Sequence, residues 1–290
     1  MAPQIVQLPE VERLSKSVIR ILGGNPGKFT LQGTNTYLVG TGHRRLLVDT
    51  GEGRPSWVRA LKQTLEEQNA KISDAIITHW HHDHQGGIAD LLTFSPDTRI
   101  HKNQPADGQR DIEDNQAFHV DGASLRAVFS PGHTQDHMAL VLDEEDAMFT
   151  GDNVLGHGTA VFEDLATYLA SLEKMRKLFH GRAYPGHGPV IDDGPSKILE
   201  YIRHRQQRED QVLQVLRSSK SSPAGDSTAF EPEDWSSMEI VKIIYKDVAE
   251  NLHLPAHGGV MQVLWKLKKE EKVDEDPSTS RWRINNRAAL

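Results

Sequence analysis

Thr78-His79-Trp80-His81-His82-Asp83-His84 is a short segment that crowds imidazoles and a carboxylate onto one stretch of chain. Imidazole nitrogens bind zinc and related metals, and a carboxylate binds the same ions through oxygen. A lone surface histidine is usually only solvated, but this alternating set of ligand types predicts a metal site. The apolar run ending at Thr78 predicts a buried strand, and Gly86-Gly87 precedes a predicted helix at Ile88. We therefore expect these side chains at the end of a strand.

Further candidate ligands follow glycines at the ends of later apolar runs. His133 comes after Pro131-Gly132, Asp152 after Thr150-Gly151, and His187 after Pro185-Gly186. Because the ends of neighbouring strands meet at one edge of a sheet, such positions are suited to a shared site. The sequence thus offers candidate ligands from four separate places in the chain.

These motifs, in this order, resemble the metallo-β-lactamase superfamily, in which His-x-His-x-Asp-His is followed by His, Asp and His. The resemblance implies an α+β fold, namely an αββα sandwich, with two divalent metal ions. It implies that His79, His81 and His133 bind one ion. It also implies that Asp83, His84 and His187 bind the other, and that Asp152 bridges the two. His82 falls at a position that the motif leaves free, so we interpret it as a neighbour.

Composition excludes several classes of site. The chain has 290 residues and no cysteine, so disulfides, thiolate catalysis and sulfur ligation of metals are all ruled out. With 33 basic and 41 acidic residues, the net charge of −8 argues against a broad grip on nucleic-acid phosphates. No apolar run is long enough to span a bilayer, and a membrane partner is not expected. The first residues lack a signal-peptide core and a transit pattern, so we expect a cytoplasmic location.

The pattern of apolar runs changes near Pro195. Before it, short Val-, Ile- and Leu-rich runs predict strands, separated by three helical segments, which favours a two-sheet sandwich covered by helices. The predicted strands are 18–22, 36–39, 46–48, 75–77, 125–129, 138–142 and 147–149, and the predicted helices are 56–68, 87–92 and 165–179. We predict a catalytic domain over residues 1–195 and a smaller unit over 196–290.

The predicted second unit begins with a long helix, Ser196 to Arg217, followed by a polar link from Ser218 to Asp226. Ser236 and Glu239 predict a capped helix start. A helix over 258–270 and a strand at 281–284 complete an outline that resembles a winged helix. A winged helix can bind nucleic acid, but one that carries no basic excess more often serves packing or partner contact. Its basic residues are then typical of the solvated face of a helix; they are Lys266, Lys268, Lys269 and Lys272.

The predicted site favours hydrolysis. Two neighbouring divalent ions can hold one water molecule, lower its pKa and present hydroxide to an electrophilic carbon or phosphorus atom. We expect Asp83 to orient that hydroxide as well as to bind metal. Asp136 and His137 are candidates for hydrogen bonding to the ligand imidazoles, although a purely structural role is as plausible. Nitrogen-rich ligands favour zinc, and the oxygen ligands also suit manganese.

Longer segments resemble one branch of the superfamily, which contains the lactamase-like endoribonucleases of animal mitochondria and the discrete thioesterases of fungal polyketide clusters. They are Leu31 to Val39, Val161 to Leu165 and Tyr201 to Glu209. Four segments resemble the thioesterases, which release atrochrysone carboxylic acid and related aromatic polyketides; they are Leu22 to Phe29, Gly51 to Pro55, His79 to His84 and Phe149 to Asp164. The nuclease-type relatives carry Cys after the bridging Asp and Glu at the position of His157, and this chain has neither.

The resemblance therefore implies a thioesterase of secondary metabolism whose partner is the acyl carrier protein domain of a non-reducing polyketide synthase. We expect His157, at the mouth of the site, to contact the substrate rather than metal. The alternative is a metal-dependent endoribonuclease acting on single-stranded RNA. A scaffold with a vestigial site is disfavoured because no ligand is missing, and a glyoxalase-like thioesterase is disfavoured by the winged-helix outline. The acyl chain and the oligomeric state stay open.

Overall fold

The computed structural model describes residues 6–218 and 234–285. The chain divides into two compact units, Met1–Tyr201 and Ile202–Leu290. The domain boundary expected after residue 195 stays a prediction, and the polar link lies, beyond Ser218, outside the described residues. Over the described ranges, no helix combines the length and the apolar character that crossing a membrane requires.

The first sheet combines antiparallel and parallel strands. In spatial order its strands are β1 (Val11–Arg13), β2 (Val18–Leu22), β3 (Asn35–Val39), β4 (Arg44–Val48), β5 (Lys71–Ile77) and β6 (Arg99–Lys102). Strands β4, β5 and β6 run parallel, so each connection must cross the sheet. Helix α1 (Pro55–Glu67) makes the first crossing, and α2 (His82–Gln85) with α3 (Ile88–Phe94) makes the second.

The second sheet is antiparallel apart from one edge. Its strands are β7 (Ala117–Val120), β8 (Ala123–Phe129), β9 (Met138–Leu142), β10 (Ala147–Gly151) and β11 (Ala183–Pro185), in the spatial order β11-β10-β9-β8-β7. Strands β10 and β11 pair in parallel, and helix α4 (Leu165–Met175) connects them. The carboxyl ends of β10 and β11 therefore point the same way.

Alternation along the strands builds the layers. In β4, Leu46 and Val48 pack in the core between the two sheets, whereas Leu47 packs on the other face against Trp57 of α1. On the far side of the second sheet, α4 is joined to the loop after β8, because Ser171 Oγ donates to the carbonyl of Pro131 at 2.6 Å. This arrangement confirms the predicted αββα sandwich.

Helix α5 (Gly194–Arg217) begins in the first unit and ends in the second. Within residues 234–285 follow β12 (Trp235–Ser236), α6 (Ser237–Ile244), α7 (His253–Lys269), β13 (Val273–Asp276) and β14 (Arg281–Ile284). Ser236 and Glu239 form the predicted capping box at the start of α6. Two helices followed by the β13–β14 hairpin confirm the winged-helix outline.

The strands that sequence patterns missed are short or polar. β6 has the sequence Arg-Ile-His-Lys, yet His101 and Lys102 are buried because acidic side chains meet them in the fold. β11 spans only Ala183–Pro185. Helix α2 was also not predicted, since four residues are too few to show a helical period.

Candidate metal centre

The predicted ligands lie at the ends of strands from both sheets. His79 and His81 follow β5, while Asp83 and His84 lie in α2, directly beyond. The remaining predicted ligands follow β8, β10 and β11 and are His133, Asp152 and His187. The structure brings all of these side chains together, although they come from positions more than a hundred residues apart in the chain.

One group of donors consists of His79, His81, His133 and Asp152, whose ligand atoms all lie within 4.8 Å of one another. Nδ1 of His81 is 3.0 Å from Nε2 of His79 and 3.0 Å from Nε2 of His133. Nitrogen atoms with lone pairs gain little from facing one another at this distance. Their convergence is the arrangement that a shared cation stabilises.

A second group consists of Asp83, His84 and His187, and it too lies within 4.8 Å. Oδ2 of Asp83 is 3.3 Å from Nε2 of His84 and 3.2 Å from Nε2 of His187. Asp152 faces both groups: its Oδ1 is 3.4 Å from His84 Nε2, and its Oδ2 is 3.3 Å from His187 Nε2 and 3.6 Å from His133 Nε2. One carboxylate therefore stands between the two sets of ligands. Exposed His82 belongs to neither group.

Asp49 accepts hydrogen bonds from both ends of the segment that runs from Thr78 to His84. Its Oδ1 accepts the backbone N–H of Thr78 at 2.8 Å, and its Oδ2 accepts the Thr78 hydroxyl at 2.9 Å and His84 Nδ1 at 2.7 Å. Since the Thr78 hydroxyl gives its proton to Asp49, its oxygen accepts from His79 Nδ1 at 2.9 Å. These contacts hold the Nδ1 protons of both rings on the outer side, so each ring can present Nε2 to a metal ion.

A hydrogen bond from Nδ1 also orients the ring of His133. His133 Nδ1 donates to the backbone carbonyl of Val161 at 2.8 Å, which turns its Nε2 inward. Oδ1 of Asp152 is buried with no hydrogen-bond partner among the described residues. A Cβ at Gly186 would lie 2.3 Å from that oxygen, so a residue larger than glycine at this position would displace the carboxylate. Inward Nε2 atoms around a carboxylate oxygen that accepts no hydrogen bond fit divalent metal ions.

Electrostatics separate the two groups. Burial, reinforced by His84, lowers the pKa of His79 well below its usual value, so this ring is neutral and available as a ligand. Burial also disfavours charge on His84, yet Asp152 and Asp49 raise its pKa well above normal. Against the same burial, Asp152 raises the pKa of His187 to about 9. Without metal, protons supply the positive charge that the carboxylates demand; a divalent ion would supply it instead.

Asp136 and His137, the two candidates for hydrogen bonding to the ligand imidazoles, have different hydrogen-bond partners. For Asp136 the structural reading holds: among the described residues its carboxylate accepts from Lys102 Nζ and from the Thr134 hydroxyl, and from no candidate ligand imidazole. Within the described part of the chain His137 bonds no candidate ligand imidazole either, but its Nε2 accepts the backbone N–H of Asp152 at 3.2 Å. Its effect on the centre is therefore through the backbone of the shared carboxylate.

Sequence reasoning missed Asp49 and Thr34. Asp49 directly follows β4, and an acid at the end of a buried strand is the signal that would have found it. Thr34 donates from Oγ1 to Asp83 Oδ2 at 3.0 Å, and no local pattern marks this residue.

A cavity of about 290 Å³ is lined by members of both donor groups. His157 lines it together with His81, Asp83, Asp152 and His187, so the structure places His157 beside the centre and in neither donor group. Tyr201 holds the segment that carries His157, because its Oη donates to the Gly158 carbonyl at 2.8 Å and accepts the Leu155 N–H at 3.2 Å. Lys28 and Phe29, on the turn before β3, also line this cavity.

Known proteins are similar to this chain over nearly its whole length. The chain is 47% identical over 280 residues to the lactamase-like protein adaB of Aspergillus niger, covering 95% of this chain and 88% of that protein. It is 48% identical over 269 residues to a protein of Aspergillus chevalieri named atrochrysone carboxyl ACP thioesterase, covering 92% of this chain and 85% of that one.

Solved structures share the fold at low identity. A beta-lactamase domain protein from Burkholderia ambifaria superposes with a TM-score of 0.76 at 16% identity, covering 96% of this chain and 95% of that one. A metallo-beta-lactamase family protein from Thermus thermophilus gives 0.70 at 20% identity, covering 94% and 100%. A model of the beta-lactamase associated winged helix domain matches residues 236–282. A model of the metallo-beta-lactamase superfamily matches residues 29–187, a range that contains both donor groups, and the chain belongs to that hydrolase family.

Proposed function

We propose that this protein is a metal-dependent thioesterase that releases an aromatic polyketide acid from an acyl carrier protein. The observation that carries the proposal is the pair of donor groups that both face Asp152 and that contribute residues to the lining of one cavity. The name of the Aspergillus chevalieri relative, at 48% identity, supports the substrate class. The carrier partner would be the acyl carrier protein domain of a non-reducing polyketide synthase.

We assign the ligands as two sets. His79, His81 and His133 would hold one ion, Asp83, His84 and His187 would hold the second, and Asp152 would serve both. Five imidazoles favour zinc, while manganese is the alternative that the carboxylates permit. When bound, two such ions supply the charge that lowers the pKa of a water molecule and polarises the thioester carbonyl.

Asp83 orients the attacking water in this proposal. Burial would raise the pKa of Asp83, but hydrogen bonds from His187 and His84 hold it well below its usual range. A carboxylate of such low basicity accepts a hydrogen bond without keeping the proton. The Thr34 hydroxyl fixes one of its oxygens, which restricts rotation of the carboxylate.

The reaction adds water across one bond: the acyl carbon gains the water oxygen, the carbon–sulfur bond breaks, and the products are a carboxylic acid and a thiol. A thiol has a pKa of about 8.5, so a thiolate leaves without a strong general acid. A leaving group that needs no strong general acid leaves His157 available for another role. Among the described lining residues, His157 is the histidine that belongs to neither donor group. We propose that His157 contacts the substrate.

The first test compares metal-loaded protein with an Asp152→Ala variant on an aromatic acyl-carrier thioester and on single-stranded RNA. We expect thioester release that is lost in the variant, with RNA left intact by both proteins. His82→Ala is the matched control, because this exposed histidine of the same segment belongs to neither donor group. Metal-dependent RNA cleavage with an inert thioester would replace this proposal with the endoribonuclease alternative.

A further inference from the structure

The turn before β3 brings two unusual side chains to the catalytic cavity. Lys28 and Phe29 both line it, and 73% of the Phe29 side chain is exposed. Val161, on the segment between β10 and α4, lines the same cavity and is 62% exposed. Single exposed apolar residues are ordinary on a protein surface. Two that border one cavity offer apolar faces to whatever enters it.

The backbone at this turn is held by its own hydrogen bonds. The Gly27 N–H donates to the Leu31 carbonyl at 3.1 Å, and the Gly33 N–H donates to the Thr30 carbonyl at 2.8 Å. The Thr30 hydroxyl donates to the Asn25 carbonyl at 2.6 Å. The backbone on either side of Phe29 is therefore ordered by the turn, which places this residue at the cavity in advance of binding.

Lys28 carries a charge that the cavity does not neutralise. Over residues 6–218 and 234–285, Lys28 forms no ion pair or hydrogen bond, and its Nζ lies 5.5 Å from the centroid of the Phe29 ring. The carboxylates that share the cavity, Asp83 and Asp152, are engaged by the histidines of the centre. An ammonium group beside an aromatic face is complementary to a planar ring that bears an anionic oxygen.

We propose that Lys28 and Phe29 bind the acyl part of the substrate, and that they select an aromatic acyl group carrying an acidic oxygen. Phe29 would stack on the ring while Lys28 pairs with the oxygen, with Val161 covering the other side. The inference rests on the proposed thioesterase function and adds a specificity element to it.

The anionic oxygen has a second source, the phosphate of the carrier's phosphopantetheine arm. The lining favours the acyl group, because Phe29 and Val161 supply apolar surface that a phosphate does not need. The phosphate is also separated from the thioester by the whole length of the arm. The experiment distinguishes the two by using pantetheine thioesters that lack the phosphate.

The test compares two naphthoyl thioesters of pantetheine, one with a ring carboxylate and one without. We expect Lys28→Met to lower kcat/KM about tenfold for the acidic thioester and less than about twofold for the neutral one, since a charge-assisted hydrogen bond is worth roughly a tenfold effect. Lys28→Arg should retain most of the preference. Phe29→Leu should lower both values by about two- to tenfold, because only stacking is lost.

Lys62→Met is the matched control. Lys62 Nζ also lies near an aromatic ring, 4.8 Å from the centroid of Phe94, but Lys62 is not among the residues that line this cavity. We expect this variant to match wild type on both thioesters. Equal losses on the two substrates in Lys28→Met would overturn the proposal. So would a loss that arises only when the phosphate or the intact carrier protein is present.

A binding measurement separates failure of this inference from failure of the proposed function. If wild type hydrolyses neither thioester, the Kd of the free naphthalene dicarboxylic acid for the metal-loaded protein still tests the site. A Kd raised about tenfold in Lys28→Met, relative to Lys62→Met, would support it. An unchanged Kd would refute it whatever the activity.

Discussion

Thr34 connects the turn before β3 to the metal centre through one hydroxyl group. Its Oγ1 donates to Asp83 Oδ2 at 3.0 Å and accepts from Asn25 Nδ2 at 3.0 Å, and the residue is fully buried. Thr34→Val keeps the shape and removes the donor. We predict about a tenfold lower kcat for thioester hydrolysis, because a hydrogen bond to a charged group is worth roughly 1.5–3 kcal/mol.

Thr34→Ser is the control for that prediction, since it restores the hydroxyl while losing a methyl group. We expect it to recover most of kcat, with the metal content of both variants equal to that of wild type. Full activity in Thr34→Val would show that Asp83 keeps its orientation without this bond.

His157 is the second residue whose role can be tested alone. It lines the cavity but belongs to neither donor group. We predict that His157→Ala lowers kcat/KM for an aromatic thioester about tenfold and leaves the number of bound metal ions unchanged. Elemental analysis and steady-state kinetics on one preparation check both statements. Unchanged turnover and unchanged substrate selectivity would remove His157 from the site.

At the scale of elements, a buried ion pair joins β6 to the loop that carries His133. Lys102 Nζ lies 2.5 Å from Asp136 Oδ2, and the side chains are only 6% and 2% exposed. Removing one partner leaves a buried charge uncompensated. We predict that Lys102→Met lowers the free energy of unfolding by about 3 kcal/mol, measured by urea denaturation.

The double variant Lys102→Met/Asp136→Asn supplies the comparison, because it removes both charges. It should recover part of the lost free energy. If the free energy of unfolding lost by the double variant equals the sum of the losses in Lys102→Met and in Asp136→Asn, the two side chains are not coupled.

Asp74 joins β5 to β6 and makes the stability of the sheet depend on pH. Its carboxylate accepts from Arg99 Nε and Nη2, both at 2.7 Å, and from His101 Nε2 at 2.9 Å. Burial would raise the pKa of Asp74, but the hydrogen bonds from His101 and Arg99 hold it well below its usual range. A depressed pKa means that the charged carboxylate stabilises the fold above about pH 4, and that this contribution is lost as the pH falls.

We therefore predict that wild type loses more free energy of unfolding than Asp74→Asn between about pH 5 and about pH 3. Asp97→Asn, which alters an exposed carboxylate near Arg99, should follow the wild-type profile. Denaturant titrations at each pH measure the difference. Parallel profiles for wild type and Asp74→Asn would contradict the proposed linkage.

At the scale of the whole molecule, charge pairing in the C-terminal unit bears on the choice between substrates. Lys266 pairs with Glu209 at 2.6 Å, Lys268 with Glu275 at 2.7 Å, and Lys272 with Glu270 at 2.8 Å. Basic residues that already have acidic partners add little to the attraction for a phosphate backbone.

We predict that the affinity of the full chain for single-stranded RNA is weak and nearly independent of salt between about 50 and 200 mM. Each phosphate neutralised by a protein cation would add about −0.7 to the slope of log K against log salt. Fluorescence anisotropy with a labelled oligonucleotide measures that slope. A slope of about −3 or steeper would favour the nuclease alternative and show that the pairing does not suppress binding.

Local patterns in the sequence were enough to predict the main strands, the capped start of α6 and the identities of the clustered donors. The run Met138–Leu142 predicts a buried strand because its residues are contiguous and all apolar. The His79 to His84 motif is equally local, since its spacing is short enough for one loop and one turn of helix to present it. Such features depend on neighbours in the chain, and a pattern search can therefore find them.

Contacts between distant parts of the chain depended on the packing of the two sheets. Asp49, Thr34 and Lys28 are ordinary residues in the sequence, and they acquire roles because strand ends and turns meet around the cavity. The polar strand β6 likewise forms because Asp74 and Asp136 neutralise its side chains across the fold. Hydrogen bonds and ion pairs of this kind are set by register and layer packing, which bring together residues whose separation in the chain carries no signal.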